Sequence, residues 1–173
     1  TKPKKKMIMM LAEPLKVDVD IRAESWTKAL PNVDEICCAA ATAAIKAGGV
    51  SEINLEVSIV LADNIFIQSL NKIWRRQDVP TNVLAFPCEK TGVIDGKIRL
   101  LGDIVIADGV VKKEALEEKK SISDHLAHMV VHGALHLLGH NHVSDEGARK
   151  MEELEKVALA TLDVENPYSE NQP

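Results

Sequence analysis

All six histidines of this chain lie between positions 125 and 142, inside a stretch that is otherwise strongly apolar. Leu126, Ala127, Met129, Val130, Val131, Leu135, Leu137 and Leu138 surround His125, His128, His132 and His136. A helix of this composition is apolar nearly all round and has to be buried. Imidazoles on a buried helix must find partners. The chain therefore has to wrap its other elements around one central helix while leaving polar company for one stripe of it.

The spacing says what that company is. His132 and His136 are four residues apart, so they stack on one helical face with a rise of about 6 Å between them. Gly139 lets the chain leave the helix through a tight turn. The loop Gly139-His140-Asn141 then returns His142 towards the pair, giving H-x-x-x-H-x-x-G-x-x-H. Three imidazoles can bind one Zn²⁺ and leave a fourth position open, as a catalytic site requires; a closed structural site would want a fourth protein ligand, and no cysteine is near. Nickel or copper also suit three histidines. One zinc ion per chain is the expected cofactor, with no organic cofactor. The competing reading makes these histidines hydrogen-bonded core residues. His125 and His128, nearer the helix start, are read as supporting the ligands or simply exposed. His140 is read as a proton shuttle or as solvent-facing.

The rest of the pattern supplies the packing. Leu15 to Arg22 alternates as a half-buried strand, and Asn54 to Leu61 does so again. Between them Asn32 or Asp34 caps an alanine-rich helix to Lys46, ended by Gly48-Gly49. Asp63 or Asn64 caps a helix to about Trp74. Gln77 to Thr81 reads as a loop. Val83 to Pro87 is a short strand, Glu89 to Lys97 a hairpin turn or flexible excursion, and Leu100 to Ala107 an apolar strand central in the sheet. Asp108 starts a helix to about Lys120, Ser121 or Ser123 caps the histidine helix to Leu138, and Ser144 caps an amphipathic helix ending near Leu162. Strands come early and helices late. The expectation is an α+β fold with a mixed four-stranded sheet and about five helices, the metal site lying on a buried central helix and the loop after it.

A chain of 173 residues fits one catalytic domain, 1–173, with one core. Residues 1–13 are expected to form a basic extension and 164–173 a frayed tail. With 46% apolar and 27% charged residues, the composition is neither disordered nor membrane-spanning. Met7 to Ala12 is too short for a signal-peptide core or a membrane span, although lysines precede it. Cys37, Cys38 and Cys88 are odd in number and show no C-x-x-C spacing; they are expected to be small, reduced core residues in a cytoplasmic protein. The net charge of −5 will not hold a nucleic acid by its global field, so RNA would need a local basic patch. Lys72, Arg75 and Arg76, with Lys97 and Arg99 further on, are the candidates; the plainer reading is a solvated face.

Two hydrolase types are disfavoured. A metzincin peptidase needs a glutamate directly after the first ligand, and this chain has Gly133. No G-x-S-x-G motif surrounds a serine, and Ser121, Ser123 and Ser144 look like helix caps.

The segment from His128 to His142, the segment Leu70 to Pro87 (LNKIWRRQDVPTNVLAFP) and Leu101-Gly102-Asp103-Ile104-Val105-Ile106 together resemble the bacterial endoribonuclease YbeY family, in order and spacing. The resemblance spans roughly residues 54 to 162. It implies a zinc-dependent endoribonuclease that prefers single strands and takes part in ribosomal RNA processing, including maturation of the 3′ end of the small-subunit rRNA, and in ribosome quality control. Its partners would be single-stranded RNA, rRNA and the ribosome, without a membrane. The zinc ligands carry over to His132, His136 and His142, and the family's functional arginine to Arg75, so that Arg75 and His136 are the catalytic candidates. Asp103 matches a family acid and, with His128 and His140, is assigned a supporting place around the ligands. Many members have an aromatic residue and then aspartate before the last ligand, where this chain has His140 and Asn141; an aspartate that accepts a proton has no equivalent in Asn141.

Arg75 would neutralise charge on a phosphate. Trp74 either stacks on a base or belongs to the core, Arg76 lies beside it, and Thr81 and Asn82 either line the substrate cleft or serve the turn. The general base is unassigned, and attack by water or by the RNA's own 2′-hydroxyl is left open. The alternatives are a zinc-containing RNA-binding or ribosome-assembly factor without catalysis, and a metallopeptidase-like hydrolase.

Overall fold

A computed structural model describes residues 15–51, 54–89, 93–94 and 98–169. In chain order the elements are β1 (Leu15–Ile21), α1 (Ser25–Ala29), α2 (Val33–Ala47), β2 (Leu55–Ala62), α3 (Asn64–Arg75), β3 (Val83–Pro87), β4 (Val93–Ile94), β5 (Ile98–Ala107), α4 (Asp108–Glu117), α5 (Ile122–Leu137) and α6 (Asp145–Ala160). The fold is α+β with a mixed sheet. β1, β2 and β5 run parallel in the order β1-β2-β5, and β3 closes the row antiparallel to β5. The two-residue β4 pairs antiparallel with the start of β5. The four expected strands and five expected helices are present. The additions are β4, inside the excursion after Glu89, and the short α1, whose Trp26 is fully buried and donates its indole N–H to the Ala62 carbonyl at 3.0 Å.

Capping chemistry sets several helix starts. Asp63 accepts from the Phe66 N–H at 2.8 Å, Ser121 from Asp124 at 3.0 Å and Ser144 from Gly147 at 3.0 Å. Each side-chain oxygen satisfies one of the donors a helix start leaves free. Asn32 precedes α2 without such a bond.

Alternation along β5 divides the molecule into two sides. Ile104 and Ile106 join the main core with β2 residues Leu55, Val57, Ile59 and Leu61 and with the inner faces of α2, α5 and α6. Val105 and Ala107 face the other way, into a small cluster with Ala62, Ile67 and Leu84. Helix α5 is the central helix expected: it packs on α2, α4, α6, β3 and β5, and ten of its sixteen residues are buried. Fully burying one Leu, Val or Met side chain stabilises by roughly 1.5–3 kcal/mol, so this helix is the main anchor of the core. Gly133 makes its close approach possible, because a Cβ there would lie 2.8 Å from Cγ2 of Ile104.

Three expectations need correction. Cys88 is exposed rather than in the core, while Cys37 is buried and all three cysteines are free. Of the two readings of His125 and His128, the exposed one falls, since their side chains are 3% and 12% accessible. The tail does not simply fray from Glu165: Tyr168 folds back and donates its hydroxyl to Glu155. Residues 1–14, where the basic extension was expected, and 170–173 lie outside the described residues. No helix among the described residues is long and apolar enough to cross a membrane.

Candidate metal centre

The sequence places His132 and His136 one helical turn apart near the end of α5, and the structure brings their Nε2 atoms to 3.0 Å. Gly139, at φ +93°, adopts the left-handed conformation that turns the chain out of the helix. The following loop then sets the His142 ring 5.7 Å from that of His132 and 5.2 Å from that of His136. One ligand atom from each of the three lies within 4.8 Å of the others. Both helical ligands are half-buried and His142 is exposed.

The hydrogen bonds on the far side of each ring show what the cluster suits. Nδ1 of His132 lies 2.5 Å from Oε1 of Glu155, and Nδ1 of His136 lies 2.9 Å from the His140 carbonyl oxygen. Both partners are acceptors, so both Nδ1 atoms carry the proton. In the neutral rings the two Nε2 atoms then present lone pairs to each other at 3.0 Å, with no hydrogen between them. Burial, followed by the neighbouring His132, lowers the proton affinity of His136 to a pKa of about 4, with His142 and Arg75 acting the same way and the His140 carbonyl against. His136 is therefore neutral at pH 7. A divalent cation relieves the opposed lone pairs, and nitrogens each about 2.0–2.1 Å from a tetrahedral ion lie a little over 3 Å apart. The donor set fits such an ion.

Glu155 is the residue that sequence reasoning missed. It comes from α6 and is fully buried. Besides His132 it meets Nε2 of His128 at 3.3 Å and the Tyr168 hydroxyl. Burial alone would raise its carboxyl, but the hydrogen bonds from His128, His132 and Tyr168 outweigh that and hold it at about 2. The same burial and contact push the Tyr168 hydroxyl upward. A signal was available: Met151, Glu155, Ala158 and Leu159 share the inward stripe of α6, and a lone carboxylate in an apolar stripe is rarely left without a partner.

The remaining candidates divide. Arg75, the last residue of α3, is exposed and close enough to His136 to depress its proton affinity. Arg76 is exposed in a left-handed cap at φ 57°. Trp74 is 67% exposed, edge-on to Phe86 at 5.9 Å, which removes the core alternative for it. His128 reaches the centre through Glu155. His140 reaches it through its backbone carbonyl, while its partly buried ring has a lowered proton affinity from burial and then Lys150. Thr81 is half-buried in the turn before β3. Asn82 is committed elsewhere: its amide donates to Oε1 and Oε2 of Glu114 at 3.1 and 3.2 Å, and its Oδ1 accepts from Val83. Asp103 does not belong with the histidines. It alternates with Ile104 and lines a cavity of about 800 Å³ on the opposite side of the sheet, with Asp18, Asp20 and Trp74. Gly133 faces β5, so the position where a peptidase would carry its glutamate is filled by Ile104.

Fold and cluster together define a class: an α+β protein whose central helix and the loop after it assemble three histidines that could hold one metal ion. A family model described as Endoribonuclease YbeY matches residues 20–163, and the chain belongs to that family. It is 42% identical over 159 residues to the Endoribonuclease YbeY of Paramagnetospirillum magneticum, covering 90% of this chain and 97% of the relative. It is 43% identical over 159 residues to that of Azorhizobium caulinodans, with the same coverage. The solution structure of TM1509 from Thermotoga maritima shares the fold, with a TM-score of 0.52 at 23% identity, over 89% of this chain and 99% of that one.

Proposed function

We propose that this chain is a zinc-dependent, single-strand-specific endoribonuclease that acts in the cytoplasm on ribosomal RNA, in maturation of the 3′ end of the small-subunit rRNA and in ribosome quality control. The observation that carries the reading is the half-exposed cluster of His132, His136 and His142 with Arg75 beside it. The name shared by its relatives, endoribonuclease, supports the substrate class. Zinc held by the three histidines would supply Lewis acidity to a phosphoryl oxygen and activate a water near neutral pH.

The chain's own groups do the rest. His132 and His136 present neutral Nε2 atoms because Glu155 and the His140 carbonyl hold their Nδ1 protons. Arg75, exposed and near His136, binds the scissile phosphate and offsets the charge that builds on it; its planar fork suits that task better than a lysine. Trp74, next to Arg75 at the end of α3 and at the rim of the cavity across the sheet, offers its exposed face to an unpaired base of a strand that runs on past Arg75, which a base inside a duplex could not use. That difference supports the preference for single strands. Arg76 adds positive charge along the strand. The intact amide of Asn82 serves Glu114, so it shapes the loop rather than touching RNA.

The test uses purified protein and matched single- and double-stranded RNAs. Cleavage of the single strand should stop with a chelator, return with zinc, and fall about 10²–10³-fold in Arg75→Ala, the usual loss for one donor to a developing charge. A 2′,3′-cyclic phosphate end would assign the attack to the RNA's own hydroxyl. Cleavage that persists in His136→Ala without metal would defeat the reading, and binding without cleavage would favour a non-catalytic assembly factor.

A further inference from the structure

The carboxylate of Glu155 sits where an apolar side chain would pack well, between Met151 and Ala158 on the inner stripe of α6, and it is fully buried. A buried charge is costly unless hydrogen bonds compensate it. Here three donors converge from separate places: His132 and His128, four residues apart on α5, and Tyr168 from the segment after α6. Its two oxygens have different duties. Oε2 takes both His128 Nε2 and the Tyr168 hydroxyl, and Oε1 is left to His132 Nδ1 at 2.5 Å. The Tyr168 ring also stands edge-on to that of His128, with centroids 5.9 Å apart. Two groups thus fix one oxygen and thereby aim the other.

We infer that Glu155 is a positioning residue of the metal centre, aimed by Tyr168 and His128, so that the chain after α6 takes part in setting the His132 ligand. An ionised carboxylate only accepts, so His132 must carry its proton on Nδ1 and present Nε2 to the cluster. His128, donating from Nε2, is left with a bare Nδ1, and that atom is buried without a hydrogen-bond partner among the described residues. His128 is therefore a clamp on Glu155 and not a fourth ligand. Without the aimed oxygen, the His132 ring is free to rotate or to change tautomer, and the three-histidine geometry loosens.

The inference rests on the proposed zinc site for its consequence and on the His132 tautomer for its structure, and the two are read separately. In metal-free protein, long-range ¹H–¹⁵N spectra of the imidazoles should show His132 as the Nδ1–H tautomer, with the Nε2–H form gaining in Glu155→Gln. In competition with a chromophoric chelator, Glu155→Gln should bind zinc about 10–100-fold more weakly, the usual cost of losing such a partner. Tyr168→Phe removes only one hydroxyl at a partly exposed side chain; it should weaken zinc binding several-fold with an unchanged melting temperature for the metal-free protein. If Glu155→Gln does not fold, Tyr168→Phe decides. Zinc affinity within twofold of the parent in Tyr168→Phe, or an Nε2–H tautomer at His132 in the parent, overturns the inference. A parent chain with the expected tautomer that takes up no zinc leaves the positioning intact and defeats the zinc reading instead.

Discussion

Three histidines of helix α5 meet a carboxylate, and the first and last of them have different fates. At its start, Nε2 of His125 lies 2.6 Å from Oε2 of Glu114, which also holds the amide of Asn82. The other nitrogen of His125 is buried and has no hydrogen-bond partner among the described residues. Near its end, Nδ1 of His132 lies on Glu155, and the other nitrogen faces His136 across 3.0 Å at a half-exposed opening. A carboxylate behind an imidazole is common to both, so it does not make a ligand. What lies beyond the second nitrogen does: no hydrogen-bond partner among the described residues in one case, a second imidazole nitrogen at a half-exposed opening in the other. The first arrangement ties β3 and α4 to α5, and the second prepares a place for a cation.

The largest effect that could break this contrast comes from removing His136. His136→Ala should lose bound zinc, from about one ion per chain to nearly none by elemental analysis, since the site is left with two protein ligands. The melting temperature of the metal-free protein should change little; added zinc should raise that of the parent, as a ligand that binds only the folded state does, and should leave that of His136→Ala unmoved. His125→Ala should do the reverse. It takes one partner from Glu114, which keeps the Asn82 amide, and opens a gap in the core, costing about 2–3 kcal/mol in urea denaturation, less than a fully buried pair because the Glu114 side chain keeps 28% of its exposure. Zinc content should stay at the parental level. If the two variants failed in the same way, the helix would be one cooperative polar network and the contrast would be lost.

Much of this is legible in the sequence itself. The apolar run around the histidines demanded a buried helix, and the four-residue step with Gly139 and His142 demanded convergence. Both follow from local periodicity, which the chain states outright. The supporting acids were not legible, because each comes from a distant segment. Glu155 is twenty-three residues from His132 and Glu114 eleven from His125, and no local pattern says which carboxylate meets which ring. Asp103 misled for a related reason. It stands in a motif that matches the family, but strand alternation turns it away from Ile104 and hence from α5. Asn82 was open to two readings, cleft or turn, and its tertiary partner, Glu114, comes from a distant segment that neither reading includes.

Gly133→Ala tests the seating of α5 at a smaller scale. The added Cβ would stand 2.8 Å from Cγ2 of Ile104, and Ile104 is itself fully buried, so either the side chain or the helix must shift. Overpacking of this kind costs about 1–3 kcal/mol, readable as a lower urea midpoint. Because the residue faces β5 and not the ligands, zinc stoichiometry should persist; loss of zinc at unchanged stability would mean that α5 is seated otherwise.

The smallest effect is expected at the start of the same helix. Ser121 accepts from the Asp124 N–H at 3.0 Å and begins the turn that carries His125. Ser121→Ala should cost about 1 kcal/mol, the ordinary value of such a cap, and Ser121→Asp should restore it, since aspartate caps as well and its charge suits the positive end of the helix dipole. Neither variant should alter zinc affinity, because the ligands lie three turns away and the core packing of α5 holds their end independently. A measurable change in zinc affinity in Ser121→Ala, scaled to its loss of stability, would show that the two ends of α5 move as one body and would turn the distinction between them into a difference of degree.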